Sequence, residues 1–332
     1  MKIKEAKKIV ISRTDSIGDV ALTLPLVGIL KEKFTDVKLI FLGNTYTEPI
    51  INCIHNIDEV WSWAELKKME DRQQVNWLKS QNVDVFIHVF PRREIARLAQ
   101  KAQIKHRIGT SHRLFHMLTC NHRVNFSRKK SNLHEAQLNT KLLKPLAITH
   151  NFSLRELHQY LQFNQIEKLE DQFDQMIDQS KKQIILHPKS KGSALEWGVN
   201  QFIKLAESLS QDQFQIFFTG TEDESKYFRN QLPRQDNIID LSGKMSLQQL
   251  IAFINACEIL VAASTGPLHI AGLCNINCVG LFTTRRPLHS GRWRPLGSKV
   301  NVIEEKHESE RNQNLDITVK SVKEKIEEIS GH

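Results

Sequence analysis

The sequence has few cysteines and no pattern that would join them. The five are Cys53, Cys120, Cys257, Cys274 and Cys278, an odd number without a C-x-x-C pair. A disulfide framework and a tetrahedral zinc site are therefore excluded as the basis of the fold. We expect buried thiols in a reducing compartment, because cysteine is among the residue types most often buried.

Long apolar runs are also missing. No window holds the roughly 18 uninterrupted apolar residues that a membrane-spanning helix needs. The basic start, Met1–Lys8, is followed by an apolar stretch that Arg13, Asp15 and Asp19 interrupt. This interruption removes the apolar segment of a secretory signal peptide, and we predict a cytoplasmic protein.

Glycine and proline are scarce, with 14 and 9 among 332 residues, and 40% hydrophobic against 25% charged residues is ordinary for a globular chain. This composition excludes collagen-like and disordered chains. The length favours two domains, because domains typically run about 100–200 residues. The formal net charge of +9 favours anionic partners, and we expect the excess to be spread over both halves.

Short apolar runs alternate with amphipathic segments, which is typical of βαβ units and a parallel sheet. The predicted strands are Lys8–Ser12, Val37–Gly43, Asp58–Trp61, Val83–Phe90, His106–Gly109, Gln183–His187, Gln215–Gly220, Ile238–Leu241, Ile259–Ala263 and Cys278–Phe282. The predicted helices between them are Asp19–Lys33, Leu66–Ser80, Arg93–Ala102, Asn200–Ser210, Glu222–Gln231, Ser246–Ala256 and Pro267–Leu273.

A polar interval at Ser127–Lys182 interrupts this alternation and contains the predicted domain boundary. We predict one domain at 1–170, a second at 171–314 and a closing helix at 315–332. Val319, Val322, Ile326 and Ile329 give that helix one apolar face, which must pack against another element.

The first candidate site is the loop Ser12–Asp19, which follows the first predicted strand. In doubly wound sheets, ligands bind outside the carboxyl ends of the strands. Asp19 is interpreted either as a helix cap or as a carboxylate that takes a proton from an acceptor hydroxyl. Asp15 is the alternative carboxylate in the same loop.

Two loops of the second half are candidate anion sites. Leu186–Ser193 concentrates lysines, serines and a glycine, and Ala263–Ala271 ends a strand in small residues before Pro267 opens a helix. Backbone amides at such a helix start suit a diphosphate. Neither loop resembles a Walker A motif, which argues against an ATPase.

Five segments, taken in order, resemble glycosyltransferase family 9, the ADP-heptose:lipopolysaccharide heptosyltransferases. They are Ser12–Pro25, Leu186–Trp197, Leu241–Leu247, Ser264–His269 and Gly291–Gly297. The resemblance implies an α/β fold of GT-B architecture, with two Rossmann-like domains facing a central cleft and a C-terminal helix crossing back to the first domain. It also implies an inverting, metal-independent transfer that uses no cofactor. By similarity, Asp19 is the general base.

The resemblance implies a nucleotide-sugar site, with ADP-heptose as the donor, in the second domain. Thr265, Gly266 and His269 match the diphosphate-binding motif, and Met245 matches a nucleotide-contacting methionine. Glu224 aligns with a glutamate near the donor.

Two positions depart from the family pattern. Ser264 stands where aspartate is usual, and the two residues before Trp197 are leucine and glutamate where the family has a lysine. We expect Lys189 or Lys191, with Ser190 beside them, to reach the donor phosphate instead. A cation there would stabilise the charge of the leaving group.

Acceptor contacts are predicted from Ser16, Gly18, Arg92 and Arg93, and a basic stretch follows at Lys101–Arg113. In the family, the acceptor is the lipopolysaccharide core, a phosphorylated glycolipid at the cytoplasmic face of the inner membrane. A basic first domain would attract that acceptor and the anionic leaflet, at about 1 kcal/mol per well-placed cation. We therefore predict peripheral membrane contact; a solvated basic face is the alternative.

Other functions are also open at this point. Ser264 allows a different nucleotide-sugar donor or another cell-envelope glycan acceptor. The isoelectric point of about 9.2 suggests nucleic-acid binding, but no helix-turn-helix, RNP or zinc-finger pattern is present, and we expect no nucleic-acid partner. An inactive nucleotide-sugar sensor would be expected to lose Asp19, which is present.

Overall fold

The computed structural model describes residues 3–306 and 314–331. The chain divides into two compact units, Met1–Gln165 and Ile166–His332, which are named the first and second unit. The division lies close to the predicted boundary at residue 170, and the predicted outer limits at residues 1 and 332 fall outside the described residues. Each unit contains a six-stranded parallel sheet, so the predicted α/β fold is confirmed.

The first unit has the strands β1 (Lys8–Ser12), β2 (Lys38–Gly43), β3 (Glu59–Ser62), β4 (Val85–His88), β5 (His106–Thr110) and β6 (His122–Val124). They pair in the order β3-β2-β1-β4-β5-β6. The α-helices are α1 (Ile17–Ala21), α2 (Pro25–Lys33), α3 (Glu48–Asn52), α4 (Trp63–Leu66), α5 (Asp71–Ser80), α6 (Arg93–Lys101), α7 (Leu114–Thr119), α8 (Glu135–Thr140) and α9 (Leu154–Gln159). Short 3-10 helices cover Thr45–Thr47 and Lys141–Leu146.

The second unit has the strands β7 (Lys182–His187), β8 (Phe214–Phe218), β9 (Ile238–Asp240), β10 (Ile259–Ala263), β11 (Asn277–Phe282) and β12 (Val300–Glu304). They pair in the order β12-β11-β10-β7-β8-β9. The α-helices are α10 (Asp171–Asp174), α11 (Val199–Ser208), α12 (Glu222–Ser225), α13 (Leu247–Ala256), α14 (Gly266–Leu273), α15 (Ser290–Trp293) and α16 (Val319–Ile329). A 3-10 helix covers Arg229–Gln231.

The strand order explains where each unit can bind a ligand. In the first unit the chain adds strands on one side of β1 and then starts again on the other side with β4; β7 and β10 repeat this in the second unit. Central strands such as β1 are apolar runs buried on both faces, as expected where helices cover a parallel sheet. The loops after β1 and β7 therefore leave the sheets at the points where such folds bind ligands.

The predicted single helix Asp19–Lys33 is two helices. The first, α1, ends at Ala21 and the second, α2, begins at Pro25. Pro25 has no N–H to continue an α-helical ladder, and the intervening turn is tighter, with the Thr23 amide 2.8 Å from the Val20 carbonyl. Asp19 therefore lies in a short helix that belongs to the loop after β1.

The C-terminal helix α16 packs against the second unit, and its predicted crossing back to the first unit stays a prediction. The side chains of Val322 and Ile326 on α16 belong to the core of the second unit. The segment before the helix is tied to the same unit, because the Trp197 indole donates to the Ile317 carbonyl at 2.7 Å and the Leu315 amide to the Glu196 carbonyl at 2.8 Å. The apolar face predicted from sequence is therefore packed against the core of the second unit.

The positive charge is concentrated in the first unit, which corrects the expectation that it is spread over both halves. Residues 1–165 contain 26 Lys and Arg against 15 Asp and Glu, whereas residues 166–332 contain 20 against 22. Any electrostatic attraction of anionic partners therefore acts mainly on the first unit.

The predicted burial of the cysteines is confirmed for four of the five. No disulfide joins the five cysteines; four are buried and Cys274 is partly exposed. Among the described residues, no helix combines the length and the apolar character needed to cross a bilayer.

Candidate functional site

A buried arginine at the end of β1 gathers three carboxylates. Arg13 Nε lies 2.7 Å from Asp15 Oδ1, Nη2 bonds Asp19 Oδ1, and Nη1 lies 3.5 Å from Glu135 Oε1. Burial opposes the charge, but the three carboxylates raise the pKa of Arg13 above its ordinary value. The guanidinium is thus a fixed cation at the base of the loop.

Asp19 is held from two sides. One carboxylate oxygen bonds Arg13, and the Ser16 hydroxyl donates to the other at 2.6 Å. Ser16, not Asp19, is the N-cap of α1, so the interpretation of Asp19 as the helix cap is wrong. The Asp19 side chain is 17% exposed, which orients its carboxylate while leaving it in reach of a ligand.

The cluster is supported from a distant part of the chain. Glu135 is also paired with Arg128, whose Nη2 donates to Asn139 Oδ1 at 3.0 Å. The Asn139 amide in turn donates to the Leu22 carbonyl at 3.0 Å, next to α1. Sequence reasoning missed these residues; the one available signal was a charged residue, Arg13, directly following a buried strand.

The predicted acceptor residues lie around the same loop. Arg92 Nε donates to Thr14 Oγ1 at 3.0 Å and its Nη2 donates to the Thr14 carbonyl at 3.2 Å. Ser16, the N-cap of α1, and Gly18, within the helix, both precede Asp19. Arg93 is exposed at the first position of α6.

The pKa of the Asp15 carboxyl lies above its ordinary value. Burial raises the pKa of Asp15 from 3.8 to about 6; Arg13 opposes the rise and the negative charge of Asp19 adds to it. The Asp15 side chain is 20% exposed. Near neutral pH this carboxylate is ionised at a cost to the folded state.

Asp15 should make the first unit less stable as pH rises from about 4 to about 6. Over this window the folded state retains a proton that the unfolded state has lost, and the loss of stability is on the order of 2 kcal/mol. Asp15→Asn should remove this part of the pH dependence. Hydrogen exchange of the β1 amides at pH 4.5 and 7 measures it; equal pH dependence in both proteins would contradict the assignment.

In the second unit, the loop after β7 is organised around Glu196. Its carboxylate pairs with Lys189 and accepts from the Ser190 amide and hydroxyl, both at 2.9 Å. Lys189 Nζ also lies 4.8 Å from the ring centroid of Tyr227. Lys191 is exposed at the loop tip with a left-handed φ of 49°. Of the two lysines predicted to reach the donor phosphate, Lys189 is thus already paired with Glu196.

The loop after β8 places Glu224 in a capping box. Its carboxylate accepts from the Thr221 amide at 2.8 Å and from the Thr221 hydroxyl at 2.9 Å. The neighbouring His187 ring nitrogen lies 3.0 Å from Thr219 Oγ1. Burial lowers the pKa of His187 to about 4, although Glu224 and Glu196 oppose this, so the ring is neutral at pH 7.

The remaining predicted donor residues follow β9 and β10. Thr265 is the N-cap of α14, and its buried Oγ1 has no hydrogen-bond partner among the residues described. Gly266 opens the helix, His269 is buried within its first turn, and Ser264 is partly exposed. Met245 is half-buried immediately before the N-cap of α13.

Each unit therefore offers a distinct chemistry at the carboxyl ends of its strands. The first offers an oriented carboxylate, and the second offers backbone amides, hydroxyls and a lysine, which suit an anion. Within residues 3–306 and 314–331, no group of three or more His, Cys, Asp or Glu side chains is placed to hold a metal ion.

Known proteins are similar to this chain in sequence and in fold. A family model described as glycosyltransferase family 9 (heptosyltransferase) matches residues 73–320. A Haemophilus influenzae protein provisionally described as a glycosyltransferase is 27% identical over 301 residues, 87% of this chain and 86% of that protein. Lipopolysaccharide heptosyltransferase 3 of Escherichia coli is 22% identical over 322 residues, 89% of this chain and 90% of that protein.

The fold is also that of a solved structure. Escherichia coli heptosyltransferase WaaC with ADP superposes with a TM-score of 0.75 at 16% sequence identity, covering 97% of this chain and 99% of the other. The family match begins at residue 73 and leaves out the loop after β1.

Proposed function

Because the chain belongs to glycosyltransferase family 9 and is a glycosyltransferase, we propose that it transfers heptose from ADP-heptose to a lipopolysaccharide inner-core acceptor. A relative that aligns over most of the chain is a lipopolysaccharide heptosyltransferase, and a heptosyltransferase of the same fold was solved with ADP. The observation that carries the chemistry is the Asp19 carboxylate, oriented by Arg13 and Ser16 and left partly exposed.

In the proposed step, an acceptor hydroxyl loses its proton to Asp19 while its oxygen attacks the anomeric carbon of the donor. The bond from that carbon to the diphosphate oxygen breaks, and ADP leaves on the opposite face. The anomeric configuration is therefore inverted. We propose that no metal takes part, so the rate should be the same with and without EDTA.

The donor diphosphate is proposed to bind at the N-terminus of α14. The amides of Thr265 and Gly266 open this helix, and the Thr265 hydroxyl is buried without a protein partner among the described residues. A helix N-terminus attracts anions through its N–H groups and its dipole. Ser190, Glu224, Met245, Ser264 and His269 are the other proposed donor contacts.

We expect Lys191, not Lys189, to contact the diphosphate, because Lys189 is already paired with Glu196. Lys191→Met should raise the Kd for ADP about tenfold, which is the worth of a charge-assisted hydrogen bond. Lys189→Met, the matched variant on the same loop, should raise it less. Isothermal titration with ADP measures both, and the reverse order would assign the phosphate contact to Lys189.

The identity of the donor is tested by thermal shift with ADP, ADP-heptose and UDP-, GDP- and CMP-sugars. A ligand that binds only the folded state raises its stability by mass action. Stabilisation by ADP and ADP-heptose alone supports the proposal. Stabilisation by another nucleotide would support the second candidate, the same transfer from a different donor, which Ser264 in place of the usual aspartate favours.

The acceptor is proposed to bind the first unit, through Ser16, Gly18, Arg92 and Arg93. The excess positive charge of that unit suits a phosphorylated glycolipid. We also propose a cytoplasmic location, with peripheral contact to the anionic inner-membrane surface, where such an acceptor would be met.

A further inference from the structure

Helix α7 presents three large apolar side chains to solvent. Leu114 is 85% exposed, Met117 56% and Leu118 80%. Their spacing of three and four residues places them on one face of the helix. These three side chains form the apolar face of α7, and a cluster of exposed apolar residues of this kind marks an interaction site.

The apolar face is held in place by the rest of the unit. The His116 side chain, on the opposite side of α7, is buried. Gln100 Nε2 donates to the Leu118 carbonyl at 2.7 Å, and Arg123 Nη1 donates to the Met117 carbonyl at 3.0 Å. Side chains of α6 and β6 thus hold α7 on the first unit and fix the orientation of its apolar face.

The segments on both sides of this face in the chain are rich in positive charge. Residues 93–130 contain ten Lys and Arg and one acidic residue, Glu94. This basic flank is defined by the exposed cations of α6, of β6 and of the segments between these elements, namely Arg93, Arg97, Lys101, Lys105, Arg113 and Arg123. An apolar face with basic borders is the pattern of a segment that lies in a membrane interface.

We propose that the apolar face of α7 inserts into an anionic lipid leaflet while the basic flank contacts its headgroups. This deepens the membrane contact of the proposed function and rests on it. Nucleic acid would match the cations but leave the apolar face unused. A second copy of the chain would bring two basic flanks together, and like charges would repel.

The position of α7 suits a lipid-linked acceptor. The helix follows β5, and β5 lies two strands from β1 in the same parallel sheet. Strands are spaced about 4.8 Å apart, so the carboxyl ends of β5 and β1 are roughly 10 Å apart along one edge. An acceptor anchored in the leaflet would therefore lie on the same sheet edge as Asp19.

Sedimentation of the full chain with sucrose-loaded vesicles tests the proposal. Binding is expected to phosphatidylethanolamine vesicles containing phosphatidylglycerol and to be weak with phosphatidylcholine alone. The Leu114→Gln/Leu118→Gln variant should partition roughly 100-fold less, from the burial of two leucines. Lys101→Gln/Arg113→Gln should partition roughly 30-fold less. Met176→Gln/Leu288→Gln, which changes exposed apolar side chains of the second unit, should bind like the parent.

Parent-like binding by Leu114→Gln/Leu118→Gln would overturn the insertion, as would absence of binding to either vesicle. Tighter binding to duplex DNA than to vesicles, or a dimer that this variant dissociates, would assign the surface to another partner. Circular dichroism confirms that each variant is folded. Transfer to a delipidated, soluble acceptor should be unchanged in Leu114→Gln/Leu118→Gln, so failure of the membrane proposal is separable from failure of the chemistry.

Discussion

The Asp19→Asn variant should lose about a thousandfold in kcat, the contribution typical of a general base. Asparagine has the size of aspartate. Its Oδ1 can still accept from Arg13 and its Nδ2 can donate to the Ser16 hydroxyl oxygen, so the loop should keep its structure. It cannot take the proton of the acceptor hydroxyl. The Kd for ADP and the KM for the acceptor should stay near those of the parent, because only the proton-transfer step is removed.

The matched control is Asp15→Asn, which changes the other loop carboxylate bonded to Arg13. This variant should retain most of the activity, since Asp15 is assigned no proton transfer. Measuring kcat for both variants with one donor and one acceptor separates the two carboxylates. A larger loss in Asp15→Asn than in Asp19→Asn would transfer the role of base to Asp15.

Replacing Arg13 should have the largest effect on stability. Arg13→Gln leaves Asp15, Asp19 and Glu135 close together without their shared cation. Removing one partner of a buried ionic cluster typically costs about 3–5 kcal/mol. Without the guanidinium, which opposes the rise, the folded-state pKa of Asp15 should lie further above its unfolded value. The stability lost at pH 7 should therefore be partly regained as the pH falls toward 5.

Arg92→Gln is the control for this experiment, because Arg92 contacts the same loop through Thr14 but carries no ion pair to the carboxylate cluster. Its cost should be about 1 kcal/mol, the worth of neutral-acceptor hydrogen bonds. Native-state hydrogen exchange of the β1 amides reports both variants. If Arg13→Gln cost no more than Arg92→Gln, the cluster would not be the structural centre of the loop.

The central strands could be predicted from sequence because their patterns are strong. Runs such as Ile9–Ile11 and Ile259–Ala263 are uninterrupted and apolar, and both are buried strands. The edge strands β6 and β12 were missed. They are short or partly exposed, with His122 and Arg123 in one and Asn301 in the other. A half-exposed edge strand lacks the apolar run that identifies a buried one.

The loops that form the candidate site could be predicted from sequence, but the long-range contacts that hold their side chains in place could not. The loops that follow β1, β7 and β10 were identified because strand ends are recognisable in sequence. The contact of Arg13 with Glu135 joins residues 122 positions apart, and no local pattern encodes it. The surface that α16 packs against could not be predicted either. An apolar helix face predicts burial, but it does not indicate which surface covers it.

The proposed transfer is tested most directly by mass spectrometry of the acceptor after incubation of the protein with ADP-heptose and an inner-core lipopolysaccharide lacking heptose. We expect the acceptor to gain the mass of one heptosyl residue and ADP to be released in equal amount, and NMR of the product should show an inverted anomeric configuration at the new linkage. An acceptor of unchanged mass, under conditions in which ADP stabilises the protein, would contradict the proposed transfer.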